Sequence, residues 1–162
     1  MPSFNVGDKA VYPNHGVGVV KGIVSLNFGP EPTDFYELLI LQNASIIKVP
    51  VASAQANGLR AIIPATDVDA VYEVLRDRST PAGKETWNRR YREYLAKIKT
   101  GDLRAVGAVL RDLAILKKEK PLSFGERKTY DQALLLIVQE IAVARDVDER
   151  VISQEIQDIF AA

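Results

Sequence analysis

A change of texture near Pro64 constrains this chain more than any other feature. The first sixty residues carry six of the ten glycines and most of the prolines, separated by short β-branched or aromatic runs. These runs are Lys9-Ala-Val-Tyr12, Gly18-Val-Val-Lys-Gly-Ile-Val24, Phe35-Tyr-Glu-Leu-Leu-Ile-Leu41 and Ser45-Ile-Ile-Lys-Val49. Turn signals at Pro13-Asn-His-Gly16, Asn27-Phe-Gly-Pro-Glu-Pro32 and Gln42-Asn-Ala44 space them as in a meander small enough to curl. A four- or five-stranded antiparallel barrel is expected here.

Beyond Pro64 only Pro81 and Pro121 remain among the prolines, both at positions that suit helix starts, and apolar residues recur every three or four positions. Thr66 is placed to cap a helix through Val68, Val71, Tyr72 and Leu75. A second helix carries Trp87, Tyr91, Tyr94, Leu95 and Ile98 and stops at Gly101. Asp102 caps a third, with Leu103, Val106, Val109, Leu110, Leu113 and Leu116 on one side and a lysine-rich end that suits the negative helix pole. Ser123-Phe-Gly-Glu126 has the spacing of a capping box. The helix it opens is apolar almost all round at 134–138, as a central helix would be, and a last helix runs from about Val147. The expected fold class is therefore α+β in two domains, a small barrel at 1–62 and an all-α domain at 66–162.

Composition removes several classes of function. The 162-residue chain is long enough to bury a core unaided. It has no cysteine, so disulfides, thiolate metal sites and a cysteine nucleophile are excluded. No stretch approaches the roughly 20 apolar residues of a membrane span, and the first residues lack the basic and apolar regions of a secretion signal. A cytoplasmic protein without membrane contact is expected.

Positive and negative side chains balance at 21 each, which alone argues against a nucleic-acid partner. The balance hides a segregation: residues 76–120 hold thirteen Lys and Arg against six Asp and Glu, whereas 121–162 hold four against eight.

Catalytic signals are weak. His15 is the only histidine, with Asp8, Tyr12 and Ser25 as its local polar company, and no nucleophile spacing surrounds it. It reads as a turn residue; a hydrolase built on it would lose activity in His15→Ala. Gly16, Gly18 and Gly22 match neither a dinucleotide fingerprint nor a P-loop, and lie inside a strand pattern where glycines mark close approach or bulges. Nothing here calls for an enzyme, a metal or a cofactor.

The most informative stretch is Thr86-Trp-Asn-Arg-Arg-Tyr-Arg-Glu-Tyr-Leu95, which holds the only tryptophan. Two readings stand. In one, Trp87 begins the apolar stripe and is core, with the arginines a solvated face. In the other, Trp87 lies on the first turn outside the core beside Arg89, Arg90 and Arg92. Arginines there would neutralise phosphates while the indole wedges into a distorted base step; Lys84, Lys97, Lys99 and Arg104 would widen the field.

Val6-Gly-Asp-Lys-Ala-Val-Tyr-Pro-Asn-His-Gly-Val17, Ile47-Lys-Val-Pro50 and Trp87-Asn-Arg-Arg-Tyr-Arg92 together resemble the bacterial CarD/CdnL transcription regulators along essentially the whole chain. The opening signature is shared with the polymerase-interacting domain of transcription-repair coupling factors; the Trp-Arg segment adds the specificity.

The resemblance implies a Tudor-like barrel at 1–62 that binds the RNA polymerase β subunit. It also implies a helical domain at 66–162 that touches promoter DNA at the upstream edge of the transcription bubble without reading sequence. It assigns Trp87 as the wedge and Arg89, Arg90 and Arg92 as phosphate contacts. Lys48, Val49 and Pro50 become candidates for the polymerase surface. Family members can place one basic residue in the loop after the second strand and another just before the Val-Pro pair; here the first position is Leu26 and Lys48 keeps the second. A monomer that stabilises the open complex is expected, and a protein-only adaptor that recruits another factor through the barrel is the alternative.

Overall fold

The computed structural model describes residues 4–27, 29–78 and 87–162. The chain divides into two compact units, Met1–Ile62 and Ile63–Ala162. The first carries an antiparallel sheet and the second is helical, giving the two-part α+β layout expected from the change at Pro64.

In the first unit β1 (Lys9–Tyr12), β2 (Gly16–Asn27), β3 (Pro32–Ile40), β4 (Ile46–Pro50) and β5 (Arg60–Ala61) form a five-stranded sheet in the order β4-β3-β2-β1-β5. All described pairings are antiparallel. The expected barrel is not closed: β4 and β5 are the two edges, and no ladder joins them among the described residues. The chain leaves β4 through a 3-10 turn at Val51–Ser53, and β5 is only two residues long, too short to span both neighbours.

The glycines that failed as nucleotide motifs have structural work. Gly18 lies so close to β3 that a Cβ would stand 2.7 Å from Leu38 Cγ and 3.0 Å from the Leu39 carbonyl. Gly22 follows a register shift between Val20 and Gly22, where β2 is bulged against β3. Alternation along β3 sends Tyr36, Leu38 and Ile40 inward, where they meet Phe4, Ala10, Val20, Val49, Ala54 and Leu59. The Tyr36 ring packs edge-on to Phe4, 5.8 Å between centroids, and its hydroxyl accepts the Phe4 N–H at 3.2 Å.

The second unit comprises α1 (Val68–Arg76), α2 (Trp87–Lys99), α3 (Leu103–Glu119), α4 (Phe124–Arg145) and α5 (Glu149–Ala161). Thr66 does not cap α1; it lies in a 3-10 turn at Ala65–Asp67 that precedes the helix. Asp102 caps α3 by accepting the Arg104 N–H at 2.9 Å, and Gly101 ends α2 with φ 75°. Asp148 caps α5 through the Arg150 N–H at 2.8 Å. Pro81 and the residues before Trp87 lie outside the described residues.

Two helices reach all the others: α3 packs against α1, α2, α4 and α5, and α4, where the apolar run at 134–138 suggests a central helix, packs on α3 and α5 and meets α1 through Arg145 and Tyr72 and α2 through Glu126 and Arg90. In α4 the buried run is shifted towards 136–142, and Leu134 and Leu135 are only half-buried beside a shallow groove facing α5. Gly107 of α3 brings α1 close, with Val71, Val74 and Leu75 against the bare Cα. Leu75, Ile98, Leu110, Leu113, Ile137, Ile141, Ile152 and Ile156 are fully buried, each contributing about 1.5–3 kcal/mol relative to exposure.

Candidate nucleic-acid interface

Trp87 opens α2 as described, and its side chain is half-buried. One side of the half-buried indole packs against the helical core, with Tyr91 at 5.3 Å and Tyr94 at 6.3 Å between centroids. The ring is thus neither sealed in the interior nor free on the surface, and each of the two sequence readings describes part of it.

The first turn of α4 forms a seat for this ring. A Cβ placed on Gly125 would stand 3.2 Å from the indole Cζ2 and 3.4 Å from Nε1, so the absence of a side chain there lets the ring lie down. Ser123 and Glu126 make the anticipated capping box: the Glu126 N–H donates to Ser123 Oγ at 3.2 Å, and the Ser123 N–H donates to Glu126 Oε1 at 2.8 Å.

Glu126 also holds α2, because its Oε2 lies 3.6 Å from Arg90 Nη2, in an ion pair whose side chains are 13% and 6% exposed. The Arg90 guanidinium stands 5.5 Å over the indole and hydrogen-bonds the Tyr94 hydroxyl. Burial raises the Glu126 carboxyl, but the Ser123 hydrogen bonds and the charges of Lys120 and Arg90 outweigh it and hold the group below the ordinary glutamate value.

The arginines therefore divide. Arg89 and Arg92 are exposed, while Arg90 is turned inward onto Trp87, Tyr94 and Glu126. Lys99 and Arg104 are exposed and Lys97 is half-buried; Arg104 lies 3.6 Å from Asp102. Lys84 lies outside the described residues. Sequence reasoning overlooked Phe124, which is 77% exposed at the start of α4 and so forgoes about 1.5–3 kcal/mol of burial. Its signal was the capping box itself, which fixes where the helix starts and leaves the following residue outside.

In the first unit, β4 pairs on one side only among the described residues. Lys48 is exposed and Pro50 half-buried, whereas Val49 is wholly inside the core. Ile46, 56% exposed and two residues before Lys48, shares the outer face of the strand. Leu26 falls within β2 opposite Thr33, not in a loop, because β2 continues to Asn27. His15 stacks on Tyr12 at 5.6 Å in the β1–β2 turn. Asp8 accepts the Asn5 N–H at 2.8 Å, and Ser25 Oγ donates to Asp34 at 2.5 Å, so the structure brings neither into a catalytic group with His15.

Comparison with known proteins agrees with this layout. The CarD-like/TRCF RID domain family matches residues 4–63, and the CarD C-terminal domain family matches residues 70–157. A Bacillus subtilis (strain 168) protein named "Putative transcription factor YdeB" is 30% identical over 154 residues, covering 91% of this chain and 95% of that one. A sheet unit followed by a helical unit with these matches defines a two-domain transcription regulator. The chain belongs to the CarD family.

Proposed function

We propose that the protein is a non-enzymatic, cytoplasmic regulator, monomeric and free of cofactors, that bridges RNA polymerase and promoter DNA and slows collapse of the melted promoter. In this reading residues 1–62 form the polymerase-binding domain, acting on the β subunit, and residues 66–162 form the DNA-contacting domain. The supporting observation is the pose of Trp87: a half-buried indole at a helix start, seated on Gly125 and steadied by Arg90, beside exposed Arg89 and Arg92.

A wedge needs this combination of a fixed ring and an open side, since an unanchored indole would lose rotational freedom on entering a base step. Arg89 and Arg92 neutralise phosphates. Arg90, already engaged, positions the ring. A protein of zero formal net charge does this because docking on polymerase supplies effective concentration, so intrinsic DNA affinity need not be high. Binding the open state more tightly than the closed one shifts the population between them. On the polymerase side, Lys48 and Pro50 meet the β subunit from the open edge of β4, with Val49 contributing its backbone.

The test is the lifetime of polymerase–promoter complexes after challenge with competitor, together with their footprint. Trp87→Ala is expected to shorten the lifetime roughly tenfold, within the range of an aromatic–base contact, while polymerase binding is unchanged. An unchanged lifetime and footprint would leave the protein-only adaptor as the function.

A further inference from the structure

A buried carboxyl group in α4 takes no part in the site around Trp87. Glu140 is 1% exposed and sits among fully buried Ile137 and Ile141 of the same helix. A carboxyl group enclosed in this way carries a desolvation cost that an aliphatic side chain would not, unless hydrogen bonds replace the lost water. One such bond reaches far along the chain: the Ile63 N–H donates to Glu140 Oε2 at 2.9 Å, across 77 positions of sequence. Ile63 lies in neither strand nor helix, so Glu140 supplies the acceptor that a ladder or a helical turn would otherwise give.

Ile63 is the first residue of the helical unit. Two positions earlier, Ala61 is still paired with Ala10 in the sheet. A single residue, Ile62, therefore separates a backbone held by β1 from a backbone held by α4. The Ile63 side chain also rests on the helical core. A half-buried aliphatic contact sets no direction for the main chain, however, whereas a hydrogen bond to an enclosed acceptor does. The next fixed points along the chain are the 3-10 turn at Ala65–Asp67 and buried Val68. Without Glu140 the joint would gain Ile63 and Pro64, up to about 7 Å of added reach. That is about two base steps at roughly 3.4 Å each.

We propose that Glu140 is a positioning residue: by holding the Ile63 backbone it keeps the joint between the units to one residue, so that Trp87 is delivered to one base step once the sheet unit is docked on polymerase. This rests on the reading of the protein as a bridge with Trp87 as its wedge. Effective concentration across a joint falls roughly as the −3/2 power of its length, so slack weakens the wedge without altering either contact surface.

The experiment measures open-complex lifetime and footprint with the full-length protein, polymerase and promoter DNA. One glycine inserted between Ile62 and Ile63 doubles the joint and is expected to shorten the lifetime roughly threefold, with the melting midpoint and polymerase affinity unchanged. Glu140→Leu fills the same space without an acceptor, and Ile63→Pro removes the donor while leaving Glu140 in place. Each is expected to shorten the lifetime by a similar factor and to broaden the upstream footprint boundary; Ile63→Pro carries the comparison where Glu140→Leu does not fold. Glu140→Gln keeps an acceptor oxygen and the wild-type lifetime. A merely structural role for Glu140 gives another pattern, in which Glu140→Leu and Ile63→Pro lower the melting midpoint while the insertion keeps the wild-type lifetime, and that pattern overturns the proposal. A shortened lifetime for the insertion beside wild-type lifetimes for Glu140→Leu and Ile63→Pro also overturns it, by assigning the hold on Ile63 to another group. A wild-type lifetime for Trp87→Ala removes the bridge reading and this proposal with it.

Discussion

In the sheet unit the candidate residues alternate across a strand, whereas in the helical unit they wind around the first turns of two helices. A strand shares consecutive side chains between two faces, so Lys48-Val49-Pro50 cannot act as one patch: Val49 is interior while its neighbours face out. A helix start does the opposite. There Trp87 is half-buried, with its ring packed against the core and steadied from the first turn of α4. The same kind of motif, read as three or four successive letters, yields a divided surface in one unit and a gathered one in the other.

The strongest way to break that contrast is to treat Val49 as a surface residue. Val49→Asp would bury an unpaired charge and is expected to cost about 3–5 kcal/mol, unfolding the sheet unit as seen in its circular dichroism melt; a mild effect would show that Val49 is not interior in solution. Lys48→Glu, one residue away, is expected to leave the melt within about 0.5 kcal/mol and to weaken polymerase binding about tenfold, a change of about 1.4 kcal/mol. Equal stability effects at the two positions would dissolve the difference between the faces.

In the helical unit the sharper probe is pH. The Glu126 carboxyl is depressed in the folded protein, so its stabilising contribution is present in full above its ordinary value of 4.5 and is lost as pH falls through the lower folded-state value. Protonation there weakens both the capping box and the Arg90 pair, on the scale of about 1 kcal/mol for a cap. The single tryptophan reports the release of Arg90 as a change of indole emission in that acid range, and Glu126→Gln should abolish the transition.

How far this was legible in the sequence follows from how local each determinant is. The break at Pro64, the caps Asp102 and Ser123, and the Gly101 stop all act within one helical turn and were read correctly from residue type. The unclosed sheet was not legible, because closure depends on how the long connection between β4 and β5 leaves the sheet. Nor was the sharing of the centre between α3 and α4, since an apolar run reveals burial but not which helices touch all the rest. At the candidate site, the Trp-Arg segment was visible as a cluster. The division of its arginines was not, because Arg90 is turned by Glu126, thirty-six residues away in the chain.

Gly125 separates the seat from the fold it belongs to. Gly125→Ala should gain up to about 1 kcal/mol of helix propensity. Against this stands a Cβ only 3.2 Å from a rigid indole, which must move by a few tenths of an ångström. These effects oppose each other, so the melting midpoint should change little, within about 1 kcal/mol. The ring cannot average them: it tilts off α4, its emission shifts, and the Arg90 stacking geometry is disturbed. Open-complex lifetime should then fall by a few-fold, less than for loss of the indole, because the wedge remains but is aimed badly. An altered midpoint with unshifted emission would mean that Gly125 serves the helix alone and that the indole keeps its pose by other contacts.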